Sequence, residues 1–322
     1  MRPQVIYTHG GGRLGNQVLR AAHWTAWAME NAGEVEVINF AFWPYAENFA
    51  TWREHPGCVF PLRDGRANRV ARGWAGMPRG LHGALEYKTR LQRVVQAAGR
   101  IWPGWQAVDL DIVGEEKLAL DAEFLARVKR RGVTTCCGWE IANWPLVEKH
   151  EAAVRELFRP AAEFAAPAAE FVANLRRDHD LVIGVFIRQS DYREWHDGRF
   201  FFPATQYAIW LRQILALHPW RQVVFVVASE WWHEPGLFSD LPVHFATGSA
   251  NVGGDAIRSW IELSLCDLIV SPPSTFSATA AFLGSKPLWP VAAWNQTMAL
   301  DQIFAGGIVG AAKHPVFSLA VK

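Results

Sequence analysis

Cysteine is scarce in this 322-residue chain: there are four, Cys58, Cys136, Cys137 and Cys266, and none falls in a CxxC or Cys/His spacing. That excludes a zinc site of the familiar spacings and a disulfide scaffold. A reduced, cytosolic setting is expected, with adjacent Cys136 and Cys137 as small apolar residues at a strand end. A surplus of one charge is lacking as well. Lys and Arg total 32 against 31 Asp and Glu, for a net charge of +1, so the cationic excess of a non-specific nucleic-acid binder is absent. No window approaches ~18 uninterrupted apolar residues, which leaves no candidate membrane span. The opening Met1-Arg2-Pro3-Gln4-Val5-Ile6-Tyr7 runs straight into a short strand without the apolar stretch of a signal peptide. A soluble, cytoplasmic protein is therefore expected, at most peripheral to the inner face of a membrane.

Tyrosine is rare too, with five residues, but tryptophan and phenylalanine are plentiful, with 17 and 19. Indole is bulky and its N–H needs a partner when buried, so it is a demanding choice for plain core filling. Hydrophobic residues make up 50% of the chain and charged residues 20%, which is ample for a core and excludes disorder.

At roughly 150 residues per domain the length fits two domains or one large one, and the apolar pattern divides the chain in two. Residues 5–7 read as a buried strand, 10–15 as a turn and 35–40 as the next strand. Between turn and strand, 16–31 read as a helix whose Val18, Leu19, Ala22, Trp24, Ala26 and Met29 form a broad apolar face. This is a βαβ opening. Residues 53–103 carry Arg53, Arg63, Arg66, Arg69, Arg72, Arg79, Lys88, Arg90, Arg93 and Arg100 against Glu54, Asp64 and Glu86. Two readings of that block stay open: a solvated helical insertion whose Arg stems cover apolar surface, or a docking surface for an anionic acceptor or lipid headgroups.

Helical spacing over 121–131 and 145–158 and a strand at 133–137 complete the first half. The alanine-rich stretch 159–170, bracketed by Pro160 and Pro167, begins a linker helix. Beyond it, 181–187 and 223–227 are near-continuous apolar runs of the kind found in parallel sheets covered on both faces, with helical spacing at 205–217 between them. A helix at 255–265, a strand at 267–270, a helix at 277–283 and a strand at 286–289 follow. The pattern implies an α/β fold of two facing Rossmann-like domains, 1–165 and 166–322, hinged near 165–180 with a ligand cleft between them.

Gly10-Gly11-Gly12-Arg13-Leu14-Gly15 fits G-x-G-x-x-G between a strand and a helix, with Glu34 and Glu36 about twenty residues on, the dinucleotide fingerprint at face value. Arg13 inside the turn and Asn16-Gln17 at the helix start fit it poorly, because close helix packing there normally takes small apolar residues.

Three segments carry a resemblance instead. Gly12-Arg13-Leu14-Gly15-Asn16-Gln17 resembles the G-[GR]-[LF]-G-N-Q segment of α1,2-fucosyltransferases and protein O-fucosyltransferases. Val185-Phe186-Ile187-Arg188-Gln189-Ser190-Asp191-Tyr192 resembles their H-x-R-R-G-D-Y element. The segment 264–277, ending Ser274-Thr275-Phe276-Ser277, resembles the last motif of that superfamily, in which a Ser-[ST]-Phe-Ser turn follows a strand. The resemblance implies a GT-B-like, inverting glycosyltransferase that moves fucose from GDP-fucose to a glycan hydroxyl in a single displacement, on a polysaccharide, lipid-linked or protein-linked acceptor. The first half would then be the acceptor side and the second half the nucleotide-sugar side.

The chemistry of the residues agrees with this reading. Arg188, at the tip of a buried strand, offers a guanidinium fork that matches phosphate oxygens at any working pH. Ser274, Thr275, Phe276 and Ser277 lie at a helix N-terminus, where free N–H groups and hydroxyls accept phosphate. Gly12, Arg13, Leu14 and Gly15 bring a backbone turn close to the donor, and Asn16 donates to diphosphate or sugar. Asp191, Glu194, His196 and Asp197 are the candidate bases for the acceptor hydroxyl, with Asp191 equally suited to orienting Arg188. Trp195 and Phe200-Phe201-Phe202 are either sugar-stacking surfaces or core. Phe186 and Gln189 depart from the pattern, which has histidine and a second arginine there. Ser259 stands eight positions before Asp267, where relatives hold guanine with an acid; Asp255 and Glu262 are the nearest substitutes.

Asp109-Leu110-Asp111 and Asp178-His179-Asp180 fit D-x-D but follow no nucleotide-binding strand, and no metal or other cofactor is expected. Two rival readings remain: an NAD-dependent oxidoreductase that holds a ribose with Glu34 or Glu36, and a relative that binds a nucleotide or glycan without catalysis.

Overall fold

The apolar residues that open the chain become strand β1 (Gln4–His9), followed by helix α1 (Leu14–Glu30) and the parallel strand β2 (Glu36–Asn39). The computed structural model describes residues 2–9, 12–54, 59–60, 97, 104–109, 118–138, 141–218 and 221–321. Nearly all of the Arg-rich block, together with Gly10, Gly11, Leu110 and Asp111, lies outside the described residues. The chain forms two units, Met1–Arg159 and Pro160–Lys322.

In the first unit, short helices α2 (Trp43–Ala46) and α3 (Ala50–Glu54) lead to the edge strand β3 (Val59–Phe60), which pairs antiparallel with β2. Strands β4 (Trp105–Asp109) and β6 (Val133–Cys137) complete a sheet of order β3-β2-β1-β6-β4, parallel apart from β3. A separate two-stranded ladder joins β5 (Leu118–Ala119) to β7 (Ile141–Ala142). Helix α4 (Ala122–Arg131) enters β6 and is capped by Asp121, whose side chain accepts the Phe124 N–H at 2.9 Å. The single helix expected over 145–158 is two, α5 (Trp144–Lys149) and α6 (Glu151–Leu157). His150 departs from helical backbone between them, and its ring meets Glu30 at the end of α1.

Helix α1 is buried along most of its length, His23 included. The His23 ring accepts the Asn143 N–H through Nδ1 at 3.0 Å and stands edge-on to Trp144. Burial and the nearby Arg20 hold its pKa down to about 3. In the unfolded chain the imidazole takes a proton below about pH 6.5, whereas the folded one resists it until about pH 3. The stability that neutral His23 supplies is therefore complete above pH 6.5 and falls as the pH drops through this window. His23→Gln is expected to flatten that slope, as read by urea unfolding at pH 7 and pH 4.5.

The second unit starts at Pro160, ahead of the expected 165/166 break, which falls inside helix α7 (Ala162–Leu175). The alanine-rich segment is helical, and it buries Ala168, Val172 and Leu175 in packing on a later helix of the same unit, α9 (Ala256–Leu265). Strands β8 (Leu181–Ile187), β9 (Val223–Ser229), β10 (Val243–Phe245), β11 (Leu268–Ser271) and β12 (Leu288–Pro290) form a fully parallel sheet of order β10-β9-β8-β11-β12. All seven residues of β8 and all seven of β9 are buried, because helices cover both faces. Ile183, Val185 and Ile187 point to helix α8 (Ala204–Leu217), where Tyr207, Trp210 and Leu211 receive them. α9 lies against the opposite face and precedes β11; helix α10 (Thr275–Gly284) follows β11, and α11 (Gly307–Lys313) and α12 (Ser318–Val321) end the chain. Among the described residues no helix is long and apolar enough to cross a membrane.

Candidate active site

A parallel sheet of order 3-2-1-4-5 has a topological switch point beside its first strand, and ligands bind there at the carboxyl ends. In the second unit that strand is β8 and its neighbour across the switch is β11. Arg188 is the first residue after β8, and the Ser274 turn lies just beyond β11. The order of the strands thus brings two of the segments singled out in the sequence to one edge of one sheet.

Arg188 is held on two sides. Its Nη1 donates to Glu230 and its Nη2 to Asp191, and the guanidinium carbon lies 5.1 Å from the centroid of the Tyr192 ring. Ser190 Oγ bridges the same two acids, at 2.8 Å from Asp191 Oδ1 and 2.8 Å from Glu230 Oε2. Asp191 thus stands where it orients Arg188, the alternative to its role as base, and Glu230 adds a second carboxylate. Arg188 Nε is buried with no acceptor among the described residues. Glu230, the first residue after β9, has no motif around it; a carboxylate directly after the apolar run 223–229 was the available signal.

Tyr192 ties the arginine loop to the serine turn, because its buried hydroxyl donates to the Pro273 carbonyl. Burial pushes the phenol pKa well above its usual value, so the group stays a donor at any physiological pH. Ser274 caps α10, accepting the Phe276 N–H at 3.2 Å, and Thr275, half-buried, begins the helix. The helix N-terminus therefore presents its orphan N–H groups and dipole at the switch point. Ser277, expected to offer its hydroxyl to phosphate, turns inward instead: it is fully buried and bonds to Ser271 Oγ at 2.8 Å and to the Ser274 carbonyl at 3.1 Å. Phe276 stacks on Phe186 at 4.6 Å, so the residue that replaces the histidine of the motif packs directly beneath the serine turn.

The acids weighed for nucleobase contact are otherwise engaged. Asp255 caps α9 by accepting the Ile257 N–H at 3.1 Å, and Glu262, fully buried, accepts the Thr247 N–H at 2.8 Å and the Thr247 hydroxyl. Burial raises the Glu262 pKa. Ser259 lies against Gly248, where an added Cβ would stand 1.9 Å from the Asp255 carbonyl and 2.9 Å from Ser259 Oγ. Backbone therefore fills this place.

Beyond Arg188 the loop is tightly wound. His196 and Asp197 adopt left-handed backbone, with φ of 48° and 55°. Glu194 is exposed, and its N–H donates to the Asp191 carbonyl at 3.2 Å. Of the Phe200-Phe201-Phe202 run, Phe200 and Phe202 are core, and Trp195 packs between Tyr192 and Phe200.

In the first unit the Gly12–Asn16 turn follows β1, again at a carboxyl edge. Gly12 has φ +72°, and an added Cβ would stand 2.2 Å from Asn16 Nδ2, so the Asn16 carboxamide lies folded over the turn. Arg13 is exposed, whereas Leu14 and Gly15 are buried at the helix start. Glu36 opens β2 and Glu34 precedes it, paired with Lys129. Both acids therefore sit at the amino end of the strand, opposite to where a ribose-binding carboxylate belongs.

No protein-family model matches the chain, and no curated protein matches it. Solved structures do. A variant of FUT1 from Arabidopsis thaliana in complex with GDP matches with a TM-score of 0.55 at 14% identity, over 95% of this chain and 74% of that one. The fucosyltransferase NodZ from Bradyrhizobium matches with a TM-score of 0.49 at 15% identity, over 92% of this chain and 97% of that one. POFUT1 in complex with GDP-fucose matches with a TM-score of 0.48 at 14% identity, over 91% and 99%. These structures are fucosyltransferases, which are glycosyltransferases. At such identities the likeness is one of fold: the chain has the mixed α/β GT-B fold of the plant protein.

Proposed function

We propose that the chain is an inverting glycosyltransferase that takes fucose from GDP-fucose. The observation that carries this reading is the placement of Arg188 and the α10 N-terminus at the carboxyl ends of β8 and β11, on either side of the switch point. The GDP held by the plant protein of similar fold supports the nucleotide, and the sequence resemblance supplies the choice of fucose. In the proposed step the acceptor oxygen forms a bond to the anomeric carbon from the face opposite the diphosphate. The bond from that carbon to the diphosphate oxygen breaks, and the acceptor proton passes to a carboxylate. Arg188 and the helix N-terminus stabilise the charge that develops on the leaving GDP, so the step asks for no metal ion. Glu194 is the better base, since Asp191 holds Arg188 and Ser190. Gly12, Arg13, Leu14, Gly15 and Asn16 are assigned to ligand contact on similar ground, because they follow β1 at a carboxyl edge.

The second reading, nucleotide binding without transfer, is favoured by one observation: both terminal nitrogens of Arg188 already meet carboxylates. A thermal-shift panel of GDP, UDP, CMP, NAD and GDP-fucose separates the readings. GDP at about a hundred times its Kd is expected to add about 2.7 kcal/mol and raise the Tm by several degrees. Stabilisation by NAD alone would overturn the proposal. Stabilisation by GDP, with no GDP released from GDP-fucose in the presence or absence of glycans, would leave the binding reading.

A further inference from the structure

Two tryptophans stand in the loop after β9, in the run Ser229-Glu230-Trp231-Trp232-His233, and neither belongs to the Arg188 cluster. The loop is pinned. The Trp231 backbone N–H donates to Ser229 Oγ at 3.2 Å, and that oxygen lies 2.7 Å from His233 Nε2. His233 and Asn251 exchange two further hydrogen bonds, of 3.0 and 2.7 Å. On this firm support Trp232 leaves 58% of its surface exposed. A large apolar ring displayed on a rigid loop is a feature of binding surfaces.

The neighbouring groups extend the surface. The Arg193 guanidinium lies 4.9 Å from the centroid of the Trp231 ring and 5.3 Å from that of Phe201, and the two rings are 6.3 Å apart. Arg193 ends the turn that carries Asp191, and Trp231 follows Glu230, so the strip begins where the Arg188 cluster stops. The two loops carry exposed Arg193 and Arg199 against exposed Glu194, Asp197 and Glu234, and none of these is joined in an ion pair among the described residues. A set without cationic excess does not select a polyanion. Guanidinium and carboxylate heads together donate to and accept from vicinal hydroxyls, while indole faces cover the C–H faces of pyranose rings.

We infer that Trp231, Trp232, Phe201 and Arg193 form a subsite for neutral sugar units of a glycan, contiguous with the Arg188 cluster. That this glycan is the acceptor rests on the transferase reading; the subsite itself does not.

The test is calorimetric binding of neutral chito-, cello- and galacto-oligosaccharides, with oligogalacturonate as the charged comparator. Trp232→Ala is expected to weaken the neutral oligosaccharide that the wild type binds by about tenfold, the loss typical of one anchoring aromatic, at an unchanged melting temperature. Trp232→Phe is expected to retain most of the affinity. Trp294→Ala, which removes an indole of similar exposure whose ring meets Phe202, is expected to bind as the wild type does. Absence of binding to every neutral oligosaccharide, undiminished binding by Trp232→Ala, or preference for oligogalacturonate would overturn the inference. Glycan binding that depends on Trp232 in a protein that GDP fails to stabilise would uphold the subsite and remove the transferase reading.

Discussion

Arg188→Ala is expected to lower turnover with GDP-fucose by roughly 10²–10³-fold, the scale on which removal of a preorganised charge donor acts on a developing anion. From sequence alone the same substitution should barely touch stability, but the ion cluster changes that expectation. The Arg188 and Glu230 side chains are 13% and 19% exposed, and removal of the guanidinium takes from the partly desolvated Glu230 carboxylate its ion-pair partner while its bond from Ser190 stays. Asp191, at 59% exposure, recovers by hydration. A loss of about 1–3 kcal/mol follows, as for other buried acceptors stripped of a partner. Adding Glu230→Gln removes the uncompensated charge, so the double variant should regain stability and none of the turnover. Initial rates and urea unfolding on the four proteins of this cycle decide the matter. Unchanged transfer by Arg188→Ala would end the catalytic assignment.

Trp210→Ala is expected to cost about 3–5 kcal/mol, in the range for a large aromatic removed from a packed core. Trp210 is fully buried, edge-on to Phe202 and Tyr207, and its indole N–H donates to the Gln296 carbonyl at 2.9 Å. The substitution therefore opens a cavity and leaves that carbonyl without its donor. Trp210→Phe keeps most of the ring contact and loses the hydrogen bond, for about 1 kcal/mol plus a smaller packing loss. Because the chain has two units, global unfolding need not be two-state. Hydrogen exchange of the β8 and β9 amides is the sharper readout, and protection equal to wild type in Trp210→Ala would contradict the packing argument.

What could be read in advance was what repeats locally. The runs 133–137 and 181–187 are strands with the expected limits, and 121–131 and 205–217 form helices to within a residue, since an apolar period needs no knowledge of the partner it packs on. The helix over 145–158 broke at His150 because a tertiary contact, to Glu30, outweighs periodicity there. Of the candidate site, the segments that hold Arg188 and Ser274 were legible in the sequence, and what depends on strand order was not. Glu230 reaches Arg188 only because β9 lies beside β8, and nothing in the sequence near residue 230 states that neighbour. Ser277 was misplaced for a related reason: a hydroxyl at a helix start can face either way, and the buried Ser271 hydroxyl decides it.

The abundance of tryptophan resolves into distinct uses. Trp24, Trp27, Trp52, Trp210, Trp260 and Trp289 are fully buried framework, while Trp232 and Trp294 are displayed.

The bond from the Tyr192 hydroxyl to the Pro273 carbonyl joins the loop after β8 to the turn after β11, two segments far apart in the chain. With that joint made, the two segments are tied to each other at the carboxyl edge of the sheet. On the proposed reading, a nucleotide arriving there meets groups that are already tied together, so little of its binding free energy is diverted into ordering the chain. Specificity between nucleotides would then come from shape and charge fixed before the encounter.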